Sequence, residues 1–282
     1  MCLSINCIYY NGTQFPEVAS EVSSFVRVFI NLIFVIVSAF FIRDSSGKNF
    51  GLHGLFGDFR PSLWLRGIFG TLSVLTFFFG IKHLGVGEAS FLNSSNSIWI
   101  ALLSPLLLGQ KSTMLSWCAV LFGLFGLYLL YQPNFNDAEL TARTVALSSG
   151  FFGACAYMMI SRAGRSNHPF SMVFYFTFVA SIVHVVWFAF SRPRFPTSGL
   201  FWMILILAGL VASVAQILMT MAYQKAPAAL VSAISFLTPT LSMVLGVVLF
   251  RESIGGRAII GMIVVLFSGL FIPFISVRKN AV

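Results

Sequence analysis

The chain is a succession of long apolar runs separated by short polar breaks. A helix needs roughly 20 mostly apolar residues to cross a bilayer. Nine runs meet or approach that length: 22–42, 63–84, 88–108, 114–131, 142–161, 170–190, 199–223, 227–250 and 257–277. They are continuous rather than alternating and about twice as long as the strand of an outer-membrane barrel, which excludes that architecture. The pattern predicts an all-α integral membrane protein in which helices joined by connections of a few residues are antiparallel neighbours. Arg43 to Pro61 is the longest connection and is polar; Pro133 to Thr141 breaks the chain near its middle.

One span stands apart. Glu88 to Leu108 ends as ordinary lipid-compatible sequence, but its first half packs Ser90, Asn93, Ser94, Ser95, Asn96 and Ser97 into two turns. In hydrocarbon such groups must face other helices or a water-filled cavity, so this helix is expected to wall a solute pathway. It also recurs. At a shift of 142 residues Gly80-Ile81-Lys82-His83-Leu84-Gly85 falls on Ala222-Tyr223-Gln224-Lys225-Ala226-Pro227. The same shift sets Ser90 on Ser232, Asn93 on Ser235, Asn96 on Thr238, Ser97 on Pro239 and Gln110 on Glu252. Internal repeats joined near the midpoint are a transporter pattern. The expected domains are a first repeat over 1–132 and a second over 141–278, inverted relative to the first. The second half has five helices and the first only four complete ones. Met1 to Thr13 therefore reads as the end of a first helix whose beginning is missing, giving a ten-helix pattern with nine complete spans.

Of the residues, 58% are hydrophobic and only 9% charged, against about 25% charged in a soluble domain. The net charge of +9 then belongs to loops that set orientation and not to nucleic acid. With Arg278-Lys279 cytoplasmic, ten of the 17 Lys and Arg lie inside and the acidic Asp137-Ala138-Glu139 outside. The expected location is the plasma (inner) membrane, multi-pass, with a cytoplasmic C-terminus. Cys2, Cys7, Cys118 and Cys155 show neither metal-ligand spacing nor a disulfide framework, so no metal or cofactor is expected. All eight acidic residues fall at helix ends or in loops, and there is no HExxH pair and no P-loop. These absences argue against an integral-membrane enzyme and against ATP-driven transport by this chain alone. The expected partners are the bilayer and a small solute, with a homodimer as a candidate assembly.

The second repeat carries a recognisable motif. Ala222-Tyr223-Gln224-Lys225-Ala226-Pro227-Ala228-Ala229 leads to Pro239, then Leu249-Phe250-Arg251-Glu252, then Gly261 and Gly269. This resembles the repeat "A-x-x-x-x-P-A-x-x-A…P…E…G…G" of the drug/metabolite transporter superfamily, in its EamA-like branch. The first half keeps it in degraded form, with Ser97 in place of the Pro and Gln110 in place of the Glu. Phe25-Val26-Arg27 resembles the family's early Arg. The resemblance implies ten helices in two five-helix repeats and transport of a small metabolite, without naming one.

Several residues are candidates for that task. Asn93 and Asn96 lie three apart, so their amides share a helix face with Ser97 adjoining; they are expected to bind substrate, or else to hydrogen-bond between helices. Ser90, Ser94, Ser97, Ala101 and Ser104 form a small-residue stripe expected to pack on a neighbour. Ser235 and Thr238 are the matching hydroxyls of the second repeat. Gln216, with Thr220 and Tyr223 on one face of its helix, is read either as cavity lining or as a helix contact. His184 and Glu88 are the coupling candidates; for Glu88 the simpler role is at the positive end of the helix dipole. Pro239 and Pro105 are expected to kink their helices, Glu252 to cap the last helix or pair locally, and Arg27 to reach the interface or an anionic group. A secondary-active transporter is the function these features favour, with a non-transporting or degenerate protein of the same fold as the alternative.

Overall fold

The computed structural model describes residues 20–42, 50–110, 114–131, 140–191, 195, 199–238, 241, 244, 248 and 255–268. Among them all regular structure is helical: α1 (Ser20–Phe41), α2 (Gly51–Phe56), α3 (Pro61–Asn93), α4 (Asn96–Leu108), α5 (Met114–Tyr131), α6 (Leu140–Ala163), α7 (Pro169–Ser191), α8 (Gly199–Lys225), α9 (Ala228–Ser235) and α10 (Gly256–Leu266). A turn of 3-10 helix, Gly164–Ser166, links α6 to α7. Among the described residues six stretches are long and apolar enough to cross a membrane: Val22–Phe41, Pro61–Gly85, Glu88–Leu108, Leu140–Ala163, Pro169–Ser191 and Gly199–Lys225. The protein is an all-α multi-pass membrane protein, as its apolar runs predict. The expected first-helix remnant at Met1–Thr13, Pro239, Glu252 and the C-terminal Arg278-Lys279 lie outside the described residues.

The helices are patterned for lipid outside and small or polar residues inside. On α1, Phe29, Ile33, Val37 and Phe40 are exposed at helical spacing, while Val22, Val26, Val35 and Ala39 are buried. On α7, Ile182, Val185 and Val186 point outward and Thr177, Ala180, Ser181 and His184 inward. With no hydrophobic force to bring helices together in lipid, small side chains allow close packing and polar ones bond across it.

The chain gathers into two compact units, each drawing on both halves of the sequence. Among the described residues, the first combines 20–74 with Met159–Lys225, and the second combines Leu75–Met158 with those from 226 to 268. In the first unit α1 packs on α7 and α8, through Val22, Val26, Phe201 and Leu205 and through Val28, Phe176 and Ala180. In the second, α4 packs on α9 and α5 on α10. α5 and α10 are repeat-equivalent helices meeting one another. Glycine makes the second contact possible: a Cβ on Gly126 of α5 would lie 2.9 Å from Val265 N and 3.0 Å from Gly261 O of α10. Gly261 of the motif is thus a backbone-approach position.

Two expectations need correction. The Arg43–Pro61 connection is not wholly loop, because Gly51–Phe56 is helical. Leu55 is buried, Ser171 Oγ donates to Gly54 O (2.7 Å), and Tyr175 Oη donates to Phe56 O (3.0 Å). Six residues are too few to show a helical period in sequence, and packing on α7 supplies what propensity lacks. The 88–108 span is also not one continuous helix: α3 ends at Asn93 and α4 begins at Asn96.

Candidate functional site

The break between α3 and α4 is the centre of the polar stretch. Ser94 and Ser95 form a turn in which Ser95 N–H donates to Leu92 O (3.1 Å), Ser97 N–H to Ser94 O (3.3 Å) and Ile98 N–H to Ser95 O (2.9 Å). This is i→i−3 bonding, tighter than the α-helix on either side. The local cause is a run of Ser and Asn, whose side chains compete for backbone groups; Ser94 Oγ, for instance, donates back to Ser90 O (2.7 Å). The turn lies against Gly150 of α6. A Cβ at that position would overlap Ser95 Oγ and lie 3.0 Å from Asn93 O and 3.1 Å from Asn96 N. Ser95 Oγ is itself buried with no hydrogen-bond partner among the described residues.

The second repeat has a break at the corresponding place. Asn93 is the last residue of α3 and its counterpart Ser235 the last of α9. At the start of the same segments, Gly85 (φ 79°) interrupts α3, and its counterpart Pro227 precedes α9 with extended ψ (134°). Glycine satisfies the positive φ in one repeat, and proline opens the helix in the other, where its missing N–H costs nothing.

Four candidates come together here within the second unit. Asn93 Nδ2 donates to Ser149 Oγ of α6 (2.9 Å), and Ser149 Oγ donates to Ala146 O (2.6 Å). Asn96 Oδ1 accepts from Ser97 Oγ (3.2 Å), which also reaches Ser232 O of α9 (3.3 Å). Ser235 Oγ donates to that same carbonyl (2.6 Å). Asn93 and Asn96 are half-buried and Ser235 exposed, whereas Ser97, Ala101 and Ser104 are buried. That part of the stripe is therefore packing surface. Thr238 follows in the same unit, half-buried. Pro105 lies inside α4, which ends in a left-handed Gly109 whose N–H donates to Ser104 O.

Gln216, Tyr223, His184 and Arg27 belong to the first unit. Gln216 is buried, and its side-chain amide makes no hydrogen bond among the described residues, although its carbonyl accepts from Thr220 Oγ1 (2.8 Å). Tyr223 is buried with its carbonyl accepting from Ser161 Oγ (2.9 Å). His184 is 1% exposed. Its Nδ1 lies 2.7 Å from Ala180 O, an acceptor only, so Nδ1 carries a hydrogen, and Nε2 lies 3.1 Å from Ser24 Oγ. Arg27 is half-buried on α1.

Three structural contacts have no mark in the sequence. Glu88, buried just after the Gly85 turn, pairs with Arg143 Nε of α6 at 3.0 Å. Gln110 Oε1 accepts from Ala228 N–H (3.1 Å), capping α9. Ser149 and Gly150 hold the break from α6. No local signal marks these pairings, since 118 residues separate Gln110 from Ala228; only the polar character of each residue within an apolar run pointed to it. Among the described residues no group of three or more His, Cys, Asp or Glu is placed to hold a metal ion.

Comparison with known proteins agrees with this architecture. The model of the EamA-like transporter family matches residues 11–132 and 141–274. The pseudopaline exporter CntI of Pseudomonas aeruginosa (strain UCBPP-PA14) is 27% identical over 174 residues, 61% of this chain. The match spans 60% of that exporter's length. An uncharacterized transporter of Helicobacter pylori (strain J99) is 25% identical over 231 residues, covering 79% of this chain and 76% of its own. A crystal structure superposes with a TM-score of 0.83 over 99% of this chain and 95% of that one at 16% identity, a likeness of fold alone.

Proposed function

This chain belongs to the EamA-like transporter family, and we propose that it is a secondary-active transporter moving a small metabolite by alternating access between its two inverted repeats. The observation that carries the reading is the polar break at Asn93–Ser97, with a second break at the matching position of the other repeat. Interrupted helices at corresponding positions of two repeats are where transporters hold their cargo, because backbone and side-chain groups released from the helix become available to a solute. Asn93 and Asn96 contribute amides, and Ser235 and Thr238 hydroxyls. Gln216 and Tyr223, the other candidates of the sequence, are both buried on α8. Glu88, already neutralised by Arg143, has a structural role, which leaves His184 as the coupling group. The protein lies in the inner membrane with its C-terminus cytoplasmic.

Two measurements test this. Asn93→Cys and Asn96→Cys, in a background without Cys2, Cys7, Cys118 and Cys155, are expected to react with a membrane-impermeant methanethiosulfonate reagent. Leu106→Cys, on a side chain 79% exposed on the apolar outer face of α4, is expected not to. Comparative metabolite efflux and uptake in cells, wild type beside Asn93→Ala and Asn96→Ala, gives the activity. If no solute moves above the level of empty membranes, the transporter reading fails. Transport that persists unchanged in both variants removes the site.

A further inference from the structure

We propose that Ser149 decides what Asn93 offers to a solute. It holds the nitrogen end of the amide, so the site presents oxygen, and its ligand is a neutral polar molecule that donates an N–H or O–H hydrogen bond. The inference rests on the reading of the Asn93–Ser97 break as the solute-binding surface.

An asparagine side chain has a donating and an accepting end, and which end faces a ligand follows from what the other end meets. The Ser149 hydroxyl carries one hydrogen. Its oxygen lies 2.6 Å from the Ala146 carbonyl, which can only accept, so the hydrogen occupies that bond. Ser149 Oγ then has only lone pairs left for Asn93, 2.9 Å away. A flipped amide would set two acceptors against each other at that distance. The nitrogen must therefore face Ser149, and Asn93 Oδ1 is the unspent end, with no hydrogen bond among the described residues on a half-buried side chain. Gly150 holds this arrangement in register by letting the α3–α4 turn lie directly on α6.

The matching position of the second repeat presents the same polarity by a different route. Ser235 is exposed, and its hydroxyl hydrogen is spent on Ser232 O at 2.6 Å, so the oxygen again faces outward with only lone pairs. Along α3, the charge closest to the break is Glu88, closed on Arg143 at 3.0 Å. Recognition then falls to acceptor oxygens meeting donors on the ligand. Ser149 is a positioning residue: it acts on the ligand through Asn93.

The test uses the purified full-length protein and matched pairs of neutral solutes. Each pair is a primary amide, a nucleobase or an alcohol beside its N- or O-methylated counterpart, read by ligand-dependent thermal shift. The wild type is expected to bind the donor-bearing member about tenfold more tightly, the effect of one hydrogen bond. Ser149→Ala, which only removes an atom, is expected to narrow that preference to about threefold or less, because the released amide can turn either end outward. Ser149→Thr, which keeps the hydroxyl, should restore it. In proteoliposomes KM for the donor-bearing solute should rise in Ser149→Ala with kcat retained. A purely structural serine would lower the melting temperature of the free protein and leave the preference intact. Equal binding of both members by the wild type, a preference that survives Ser149→Ala, or binding of none of the solutes overturns the inference. Methanethiosulfonate labelling at positions 93 and 96 separates the two failures: labelling retained leaves the transporter site standing, and labelling absent removes it.

Discussion

Replacing Gly150 by alanine is the sharpest perturbation of the break. An alanine would ordinarily be favoured at this position, since glycine inside a helix costs about 0.5–1 kcal/mol relative to alanine. The geometry predicts the opposite sign. The new Cβ would overlap Ser95 Oγ and lie 3.0 Å from Asn93 O and 3.1 Å from Asn96 N. Ser95 Oγ can rotate away; the two backbone atoms cannot, so the turn must lift from α6 by a few tenths of an ångström. Overpacking of this kind costs about 1–3 kcal/mol, and net of the propensity gain about 1–2 kcal/mol of destabilisation remains. For a chain of this size that lowers the melting temperature by about 3–6 °C. Gly199→Ala is the control, because a Cβ there meets nothing within 4 Å, and its melting temperature should equal or exceed that of the wild type. The assay is tryptophan-fluorescence melting of the detergent-purified variants, with methanethiosulfonate labelling at Asn96→Cys as a local readout. Lifting the turn should also raise the labelling rate. A Gly150→Ala protein as stable as the Gly199→Ala control, with unchanged labelling, would refute the close seating of the break on α6.

Other positions give equally definite expectations. Glu88→Ala or Arg143→Ala alone breaks a largely buried ion pair and should destabilise by about 2–3 kcal/mol, whereas the double variant should recover part of that; additive losses would show that the pair is uncoupled. Gln110→Ala removes the cap on Ala228 N–H and should cost about 1 kcal/mol, visible as faster amide exchange over 228–231. Unchanged exchange there would contradict the cap. Gln224 Nε2 donates to Gly164 O (3.0 Å) and Asn167 O (2.8 Å). Gln224→Leu should destabilise by about 1–2 kcal/mol and speed exchange through 164–168, and protection at wild-type levels would argue against the contact. Ser97→Ala, which loses a shared bond to Ser232 O, should cost only about 0.6 kcal/mol and leave solute selectivity as it is.

Much of the fold could be read from the order of the residues because the bilayer restricts the choices. A run such as Met114–Tyr131 has no polar alternative to internal backbone bonding, and it is helical throughout in the structure. The break at Ser94–Ser95 was less legible. The serines and asparagines that caused it were conspicuous, but whether they lined a continuous helix or interrupted it depended on Gly150 of α6, 55 residues beyond Ser95. Glu88 shows the same limit: its place after the Gly85 turn agreed with a helix-dipole role, and its actual partner, Arg143, lay in a helix that sequence spacing cannot bring near. α2 was invisible because a six-residue helix is decided by what it packs on.

The density of polar residues overstated how many could face a solute, and hydrogen-bond capacity explains why. A hydroxyl has one hydrogen, and a helix always supplies a carbonyl three or four residues back. Ser94, Ser213, Thr177, Thr220 and Ser235 all spend theirs in that way. An amide has two hydrogens and an oxygen, more than the local backbone can absorb. Among the described residues, Asn93 meets Ser149 with one end and keeps the other, and Gln216 keeps both. Within an apolar helix, then, serine and threonine are compatible with silent packing, and asparagine and glutamine leave something unspent unless another helix takes it. On that reasoning the difference between the repeats at one matched position, Asn93 against Ser235, is chemical as well as positional. Asn93 carries a rigid planar amide whose orientation α6 fixes, while Ser235 carries an oxygen whose direction its own helix sets. If the proposed solute site lies at this break, the first repeat holds its more selective position.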